Sequence, residues 1–179
     1  MLLDVSSGEA FDKLSILEIK HRRIMSPVKR SAVLQEIQAL APVVALKERY
    51  PFEYAFITKV NEEIWDLTET LDPSKPDFVT VSERIFDLNR KRFRAKRMIN
   101  NAENSGLKEQ KSLGELHCLL QLDVDPEVHR SRFYSIAFEY DTFSFDRPCQ
   151  LWPFGNFVET TPESHVVVKL SSIPDSEYK

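Results

Sequence analysis

At 179 residues and 42% apolar content, the chain is long enough for one well-buried core with a small appended subdomain. Only four glycines occur, which argues against glycine-rich phosphate loops and against a sandwich full of tight turns. A net charge of −4 argues against nucleic acid or an anionic membrane as a partner of the whole protein.

Residues Leu2 to Val5 read as a brief strand leading through Ser6-Ser7-Gly8 into a helix. From Glu9 to Met25 the pattern is helical. Ala10, Leu14, Leu17, His21, Ile24 and Met25 share one arc, with Glu18 inside it, and Ile16 and Ile19 form a second patch. A helix apolar on two sides is contacted from two sides. Ser26-Pro27 is a restart, with Ser as N-cap and Pro at the first helical position. Val33, Ile37, Leu40 and Val44 mark a second helix, interrupted or ended near Pro42. A third begins at Pro51-Phe52 and is expected to bury Phe56, Val60, Ile64, Leu67 and Leu71. Asp72-Pro73-Ser74-Lys75-Pro76 is a turn. The fourth and longest helix runs from about Asp77 to Asn101 and stops before Asn104-Ser105-Gly106.

Leu107 to Leu120 reads as a further helix, and Asp125-Pro126 resembles another cap. Thr142 to Phe145 alternates and Val166-Val167-Val168 is β-branched, so both predict short strands; Arg147 to Asn156 reads as a loop. The expected fold class is α+β, mainly α. An antiparallel bundle of about four helices over residues 1–112 precedes a small α/β subdomain, 113–179, packed on it. The strand at Leu2 is expected to join the late strands in one sheet. With no leader pattern and no run of about 18 apolar residues, a soluble cytoplasmic protein without a membrane partner is expected. Cys118 and Cys149 lack metal or redox spacing and read as bystander thiols in a reducing compartment.

Between Arg84 and Arg97 stand seven basic residues and one acid. Val81, Ile85, Leu88, Ala95 and Ile99 form the apolar stripe of that helix; Arg92 falls near its centre, Lys96 at its edge and Asn89 just beyond. A cation in an apolar stripe must find acidic or hydrogen-bonding partners. Either a buried salt bridge, with Glu18 as the expected acid, or a pocket for an anionic ligand satisfies that need. Arg90, Arg94 and Arg97 are expected to share an outer face, either solvated or facing phosphates, with Phe86 and Phe93 as secondary core. On the third helix Glu62, Asp66 and Glu69 occupy one arc; this is either the solvent face or, as in all-α nucleotide pyrophosphatases of the MazG type, half of a Mg²⁺ site completed by Glu83 and Asp87. Asn61 and Trp65 lie at the seam of that helix, where an indole N–H is usually satisfied. The histidines His21, His117, His129 and His165 show no ligand pattern, and no nucleophile elbow, P-loop or dinucleotide fingerprint occurs.

The chain resembles an uncharacterised family, mainly bacterial and in part viral, known only as a domain of unknown function. The resemblance rests on Gly8-Glu9, Asp12-Lys13 and Ile16-Leu17-Glu18-Ile19-Lys20, on Asn61 and Trp65, and on Asn89, Arg92, Lys96, Ile99 and Asn100. Ser105, Leu107, Glu109, Lys111 and Ser112 close it, so that it covers roughly residues 1 to 112. Where the family carries an acidic pair and then a basic residue after the Trp, this chain has Asp66-Leu67-Thr68-Glu69-Thr70-Leu71, without the basic residue. The tail is similar to versions with a strand ending near a Tyr-Asp pair, here Tyr140-Asp141. The resemblance implies no established activity; the family's members often lie among genes for surface-polysaccharide synthesis, so the resemblance points to sugar or sugar-nucleotide metabolism.

Three functions follow as expectations. The first is a non-enzymatic helical module binding an anionic small molecule (a phosphorylated sugar or nucleotide-like ligand) or a partner protein, without a cofactor. In it Arg92 and Lys96 hold the negative group, Asn61, Asn89 and Asn100 orient it, and Glu18 and Asp12 position the basic pair. The second is a Mg²⁺-dependent nucleotide or sugar-nucleotide hydrolase using Glu62, Asp66 and Glu69. The third is a structural or assembly protein, homo-oligomers included, whose buried ion pairs fix helix register.

Overall fold

The computed structural model describes residues 4–107, 109, 114–159 and 165–176. It is mainly helical with one small parallel sheet, and it divides into two compact units, residues 1–109 and 110–179. No helix among the described residues is long and apolar enough to cross a membrane.

The first unit holds five helices: α1 (Ser7–Arg23), α2 (Pro27–Ala39), α3 (Ala41–Arg49), α4 (Pro51–Thr70) and α5 (Phe78–Ala102). Helix α1 touches each of the other four, which is why it is apolar on two sides. Its Phe11, Leu14, Leu17 and Ile19 are buried with Ile57 and Val60 of α4 and Leu88, Ala95 and Ile99 of α5. Met25, expected on the core arc, is 88% exposed because α1 has already ended at Arg23. Pro42 splits the expected second helix in two: α2 stops at Ala39 and α3 restarts with that proline in its first turn. Ser26 stands at the N-cap of α2 as expected, but its side chain makes no capping hydrogen bond. On α4 the buried set is Tyr54, Ile57, Val60 and Asn61, whereas Phe56, Ile64 and Leu67 are half-buried.

Helix α5 ends in a Schellman motif. Asn104 takes the left-handed conformation (φ 49°), its N–H donates to the Asn101 carbonyl at 3.2 Å, and the Ser105 N–H reaches the Asn100 carbonyl at 2.8 Å. Asn tolerates that conformation better than other residues with a Cβ. Asn104→Ala is therefore expected to lower stability by about 1 kcal/mol, and Asn104→Gly to leave it unchanged or slightly higher, in urea denaturation.

The second unit is a three-stranded sheet, all parallel, in the order β2-β1-β3, from β1 (His117–Gln121), β2 (Thr142–Phe145) and β3 (His165–Lys169). The short helix α6 (Ser131–Ile136) lies in the β1–β2 crossover that parallel strands require. The helix expected over Leu107 to Leu120 is instead strand β1 at its C-terminal end; residues 108 and 110–113 lie outside the described residues. Cys118, Leu120 and Leu122 are buried at alternate positions, so the period is two rather than 3.6. Asp125-Pro126 opens a turn, with the Glu127 N–H on the Asp125 carboxylate at 2.9 Å, and α6 starts only at Ser131. Strand β2 begins, rather than ends, at Tyr140-Asp141, and Asp141 takes the Leu116 N–H at 2.9 Å. Asp4 and Val5 are in no strand, and Leu2 lies outside the described residues. Trp152 packs against Phe133, Phe143, Phe145 and Phe154, and burial pushes the Cys118 thiol up to about 12.

Candidate functional site

Four of the six expected binding residues, Asn61, Arg92, Lys96 and Asn100, meet where the start of α1 lies against α4 and the C-terminal half of α5. Helix α1 opens with Ser6 as N-cap, its hydroxyl taking the Glu9 N–H at 3.2 Å. The next free donors of that first turn are met from α5 and its cap. The Gly8 N–H donates to Asn100 Oδ1 at 2.7 Å, and the Ser7 N–H to Ser105 Oγ at 3.2 Å. Gly8 is what permits this approach. A Cβ there would collide with the Lys96 carbonyl oxygen and stand 2.9 Å from Asn100 Oδ1.

One turn further along α1, Asp12 is 5% exposed. Its Oδ1 accepts from Asn61 Nδ2 at 2.8 Å; the same amide reaches Ser15 Oγ at 2.7 Å, and Ser15 in turn donates to the Asp12 carbonyl. Asn61 Oδ1 accepts from Arg92 Nη1 at 3.1 Å, while Arg92 Nε stands 3.9 Å from Asp12 Oδ2. Burial pushes the Asp12 carboxyl above its ordinary value, although the Asn61 hydrogen bond and the charges of Arg92 and Lys96 pull the other way. Lys96 is held on two sides, by Glu9 and Glu109, each at 2.6 Å. Burial pulls its ammonium down, but the two carboxylates outweigh that and hold its pKa above the ordinary lysine value.

The cluster therefore carries three carboxylates (Glu9, Asp12, Glu109) against two cations (Arg92, Lys96), which leaves it formally negative. Lys96 is neutralised twice over and offers little to an anion. Arg92 differs: its side chain is 26% exposed, and among the described residues only Asn61 accepts a hydrogen bond from its five N–H donors.

Of the expected site residues, Asn61, Arg92, Lys96 and Asn100 come together here. Glu18 does not. It pairs with Lys47 of α3 at 2.8 Å, beside Tyr54, whose hydroxyl is raised by burial and then by the Glu18 charge. The acid facing Arg92 is Asp12, because Glu18 lies half a turn round α1 from Glu9, whereas Glu9 and Asp12 are spaced to meet Lys96 and Arg92. Asn89 also stays apart; its amide donates to the Ile85 carbonyl of its own helix at 2.9 Å. Glu9, Ser15, Ser105 and Glu109 are members to which the expected site gave no role, although Glu9, Ser105 and Glu109 carry the resemblance.

The acidic arc of α4 is taken up elsewhere. Glu62 pairs with Arg22, Asp66 with Arg23, and Glu69 Oε1 accepts from the Trp65 indole at 2.6 Å. Among the described residues no group of three or more His, Cys, Asp or Glu is placed to hold a metal ion. The expected outer face of α5 is also not uniform: Arg90 is exposed, Arg97 half-buried and Arg94 only 7% exposed. Phe86, expected in secondary core, is 71% exposed. In the second unit, His117 is buried, with its ring nitrogens on Thr142 Oγ1 at 2.8 Å and Ser144 Oγ at 2.9 Å. Compared with protein-family models, with curated proteins and with solved structures, the chain matches none of them.

Proposed function

We propose that this chain is a non-catalytic interaction protein whose helical unit is held in one register by a largely self-satisfied polar network and offers its outer surface to a partner protein. The observation that supports this is how much of the network, Arg92 apart, is satisfied from within. Lys96 lies between two carboxylates, Asn61 bonds three neighbours, and the first turn of α1 is capped from α5. Groups that satisfy one another specify geometry; they leave no activated nucleophile or base for chemistry. We also read α1 and α5 as antiparallel, because Glu9 and Asp12 meet Lys96 and Arg92 in reverse order along the two helices. Membership in the domain-of-unknown-function family is part of the same proposal: of the residues that carry the resemblance, Gly8, Glu9, Asp12, Asn61, Arg92, Lys96, Asn100, Ser105 and Glu109 belong to this network, whereas Lys13, Glu18, Trp65 and Asn89 lie outside it.

A second reading is favoured by the uncommitted donors of Arg92. In it a phosphate or carboxylate docks on Arg92, with Asn61 fixing the guanidinium and Lys96 and Asn100 only holding the platform. The hydrolase reading draws no support from Glu62, Asp66 and Glu69, each of which faces a different partner.

A thermal-shift screen against nucleotides, sugar nucleotides and sugar phosphates, with and without Mg²⁺, separates the readings. A ligand at about 100 times its Kd adds roughly 2.7 kcal/mol of stability, easily seen as a higher Tm. The interaction reading expects no shift with any compound. A phosphate-dependent rise that disappears in Arg92→Met selects the anion site instead, and a Mg²⁺-dependent rise accompanied by hydrolysis overturns both.

A further inference from the structure

The N-terminal half of α5 carries a face that no described residue of the helical unit covers. At 3.6 residues per turn, Val79, Glu83, Phe86 and Arg90 lie within about 60° of one another, and the buried Leu88 lies on the opposite side. Val79 is 63% and Phe86 71% exposed, and Glu83 and Arg90 flank them in solvent. An exposed Phe and Val two turns apart on one face, flanked by charges of both signs, suit an interaction surface.

The charges indicate the occupant. Around this face Arg84 pairs with Glu63 and Asp87, and Lys91 pairs with Asp87. Glu83 and Arg90 pair with no described residue, and they stand two turns apart, too far to reach one another. We propose that this face binds a second copy of the chain, with two α5 helices crossing antiparallel about a two-fold axis at Phe86. Glu83 lies about 4.5 Å along the helix on one side of Phe86 and Arg90 about 6 Å on the other. The two-fold therefore sets Glu83 of each copy beside Arg90 of the other, twice per dimer, with Phe86 against its own mate on the axis. One patch thus supplies both halves of an isologous contact, which closes at two copies. The contact is short, so the pairing is weak and concentration-dependent.

This deepens the interaction-protein reading by naming one partner; that reading's own test, the ligand screen, is independent of the outcome here. The test is analytical ultracentrifugation of the full chain from low-micromolar to near-millimolar concentration, with helicity checked by circular dichroism. The wild type is expected to pass from monomer to dimer. Phe86→Glu is expected to remain monomeric throughout. Glu83→Arg and Arg90→Glu each replace two attractions by two repulsions, and are expected to weaken the dimer about tenfold or more. An equimolar mixture of those two variants restores both pairs in a heterodimer, and the double variant restores them in a homodimer. A wild type that stays monomeric overturns the proposal. So does a dimer that survives Phe86→Glu, or one that the mixture of single variants fails to restore.

Discussion

Gly8→Ala is expected to destabilise the helical unit by about 3 kcal/mol, the reverse of the usual effect of this change inside a helix. An ordinary helical glycine gains roughly 1 kcal/mol on becoming alanine, because the backbone loses less freedom on folding. At Gly8 the added methyl meets the carbonyl oxygen of Lys96, a backbone atom of α5 that no rotamer change can withdraw. Helix α1 must then move away from α5. That movement stretches the Gly8 N–H bond to Asn100 Oδ1 (2.7 Å) and the Ser7 N–H bond to Ser105 Oγ (3.2 Å), leaving donors of the first turn without partners in a buried place. Gly106 and Gly114 serve as controls, since a Cβ at either meets nothing within 4 Å. Urea denaturation of the three alanine variants reads the difference. A Gly8→Ala protein as stable as the wild type would show that the two helices do not approach this closely.

That close approach also explains what sequence patterning conveyed and what it did not. Helices α1, α4 and α5 were legible because their apolar residues recur at helical spacing and prolines or Asn104 mark their ends. Strands β2 and β3 were legible from alternation and β-branching. Strand β1 was not, since Cys118-Leu119-Leu120 is an apolar run too short to reveal its period. Within the site, the cation Arg92 in an apolar stripe pointed correctly to a buried polar partner, but the choice of Glu18 was wrong. A single helix wheel says which face a residue occupies, not which turn of a neighbouring helix comes alongside. The pairing of Asp12 with Arg92 and Glu9 with Lys96 becomes readable only once Gly8 is placed against the Lys96 carbonyl, and that is a tertiary fact. Phe86 failed for the same reason: an aromatic on a basic helix suggests packing, yet no helix of the first unit reaches that face.

Asn61→Leu is expected to cost about 3 kcal/mol at neutral pH, with a pH dependence that identifies its cause. The substitution keeps the branched side-chain shape and its heavy-atom count but removes the donor to Asp12 Oδ1 and Ser15 Oγ and the acceptor for Arg92 Nη1. Asp12 is then a buried carboxylate whose nearest cation, Arg92, stands 3.9 Å away. Its pKa in the folded protein already lies above the unfolded value of 3.8, with burial as the largest cause. A carboxyl raised by folding holds its proton longer in the folded state, so stability falls as pH rises from the unfolded value through the folded one and stays lower above it. The Asn61 hydrogen bond counters that rise; without it the folded pKa climbs further and the window of falling stability widens upward. The gap between wild type and Asn61→Leu should therefore be narrower near pH 4, where the variant's Asp12 holds its proton more readily than the wild type's, and wider near pH 7. Denaturant titrations at the two pH values give the gap directly. Repeating them with Asp12→Asn in both backgrounds should leave it independent of pH. A gap that is equal at both pH values with Asp12 intact would mean that Asn61 acts through packing, and that the charge on Asp12 does not depend on it.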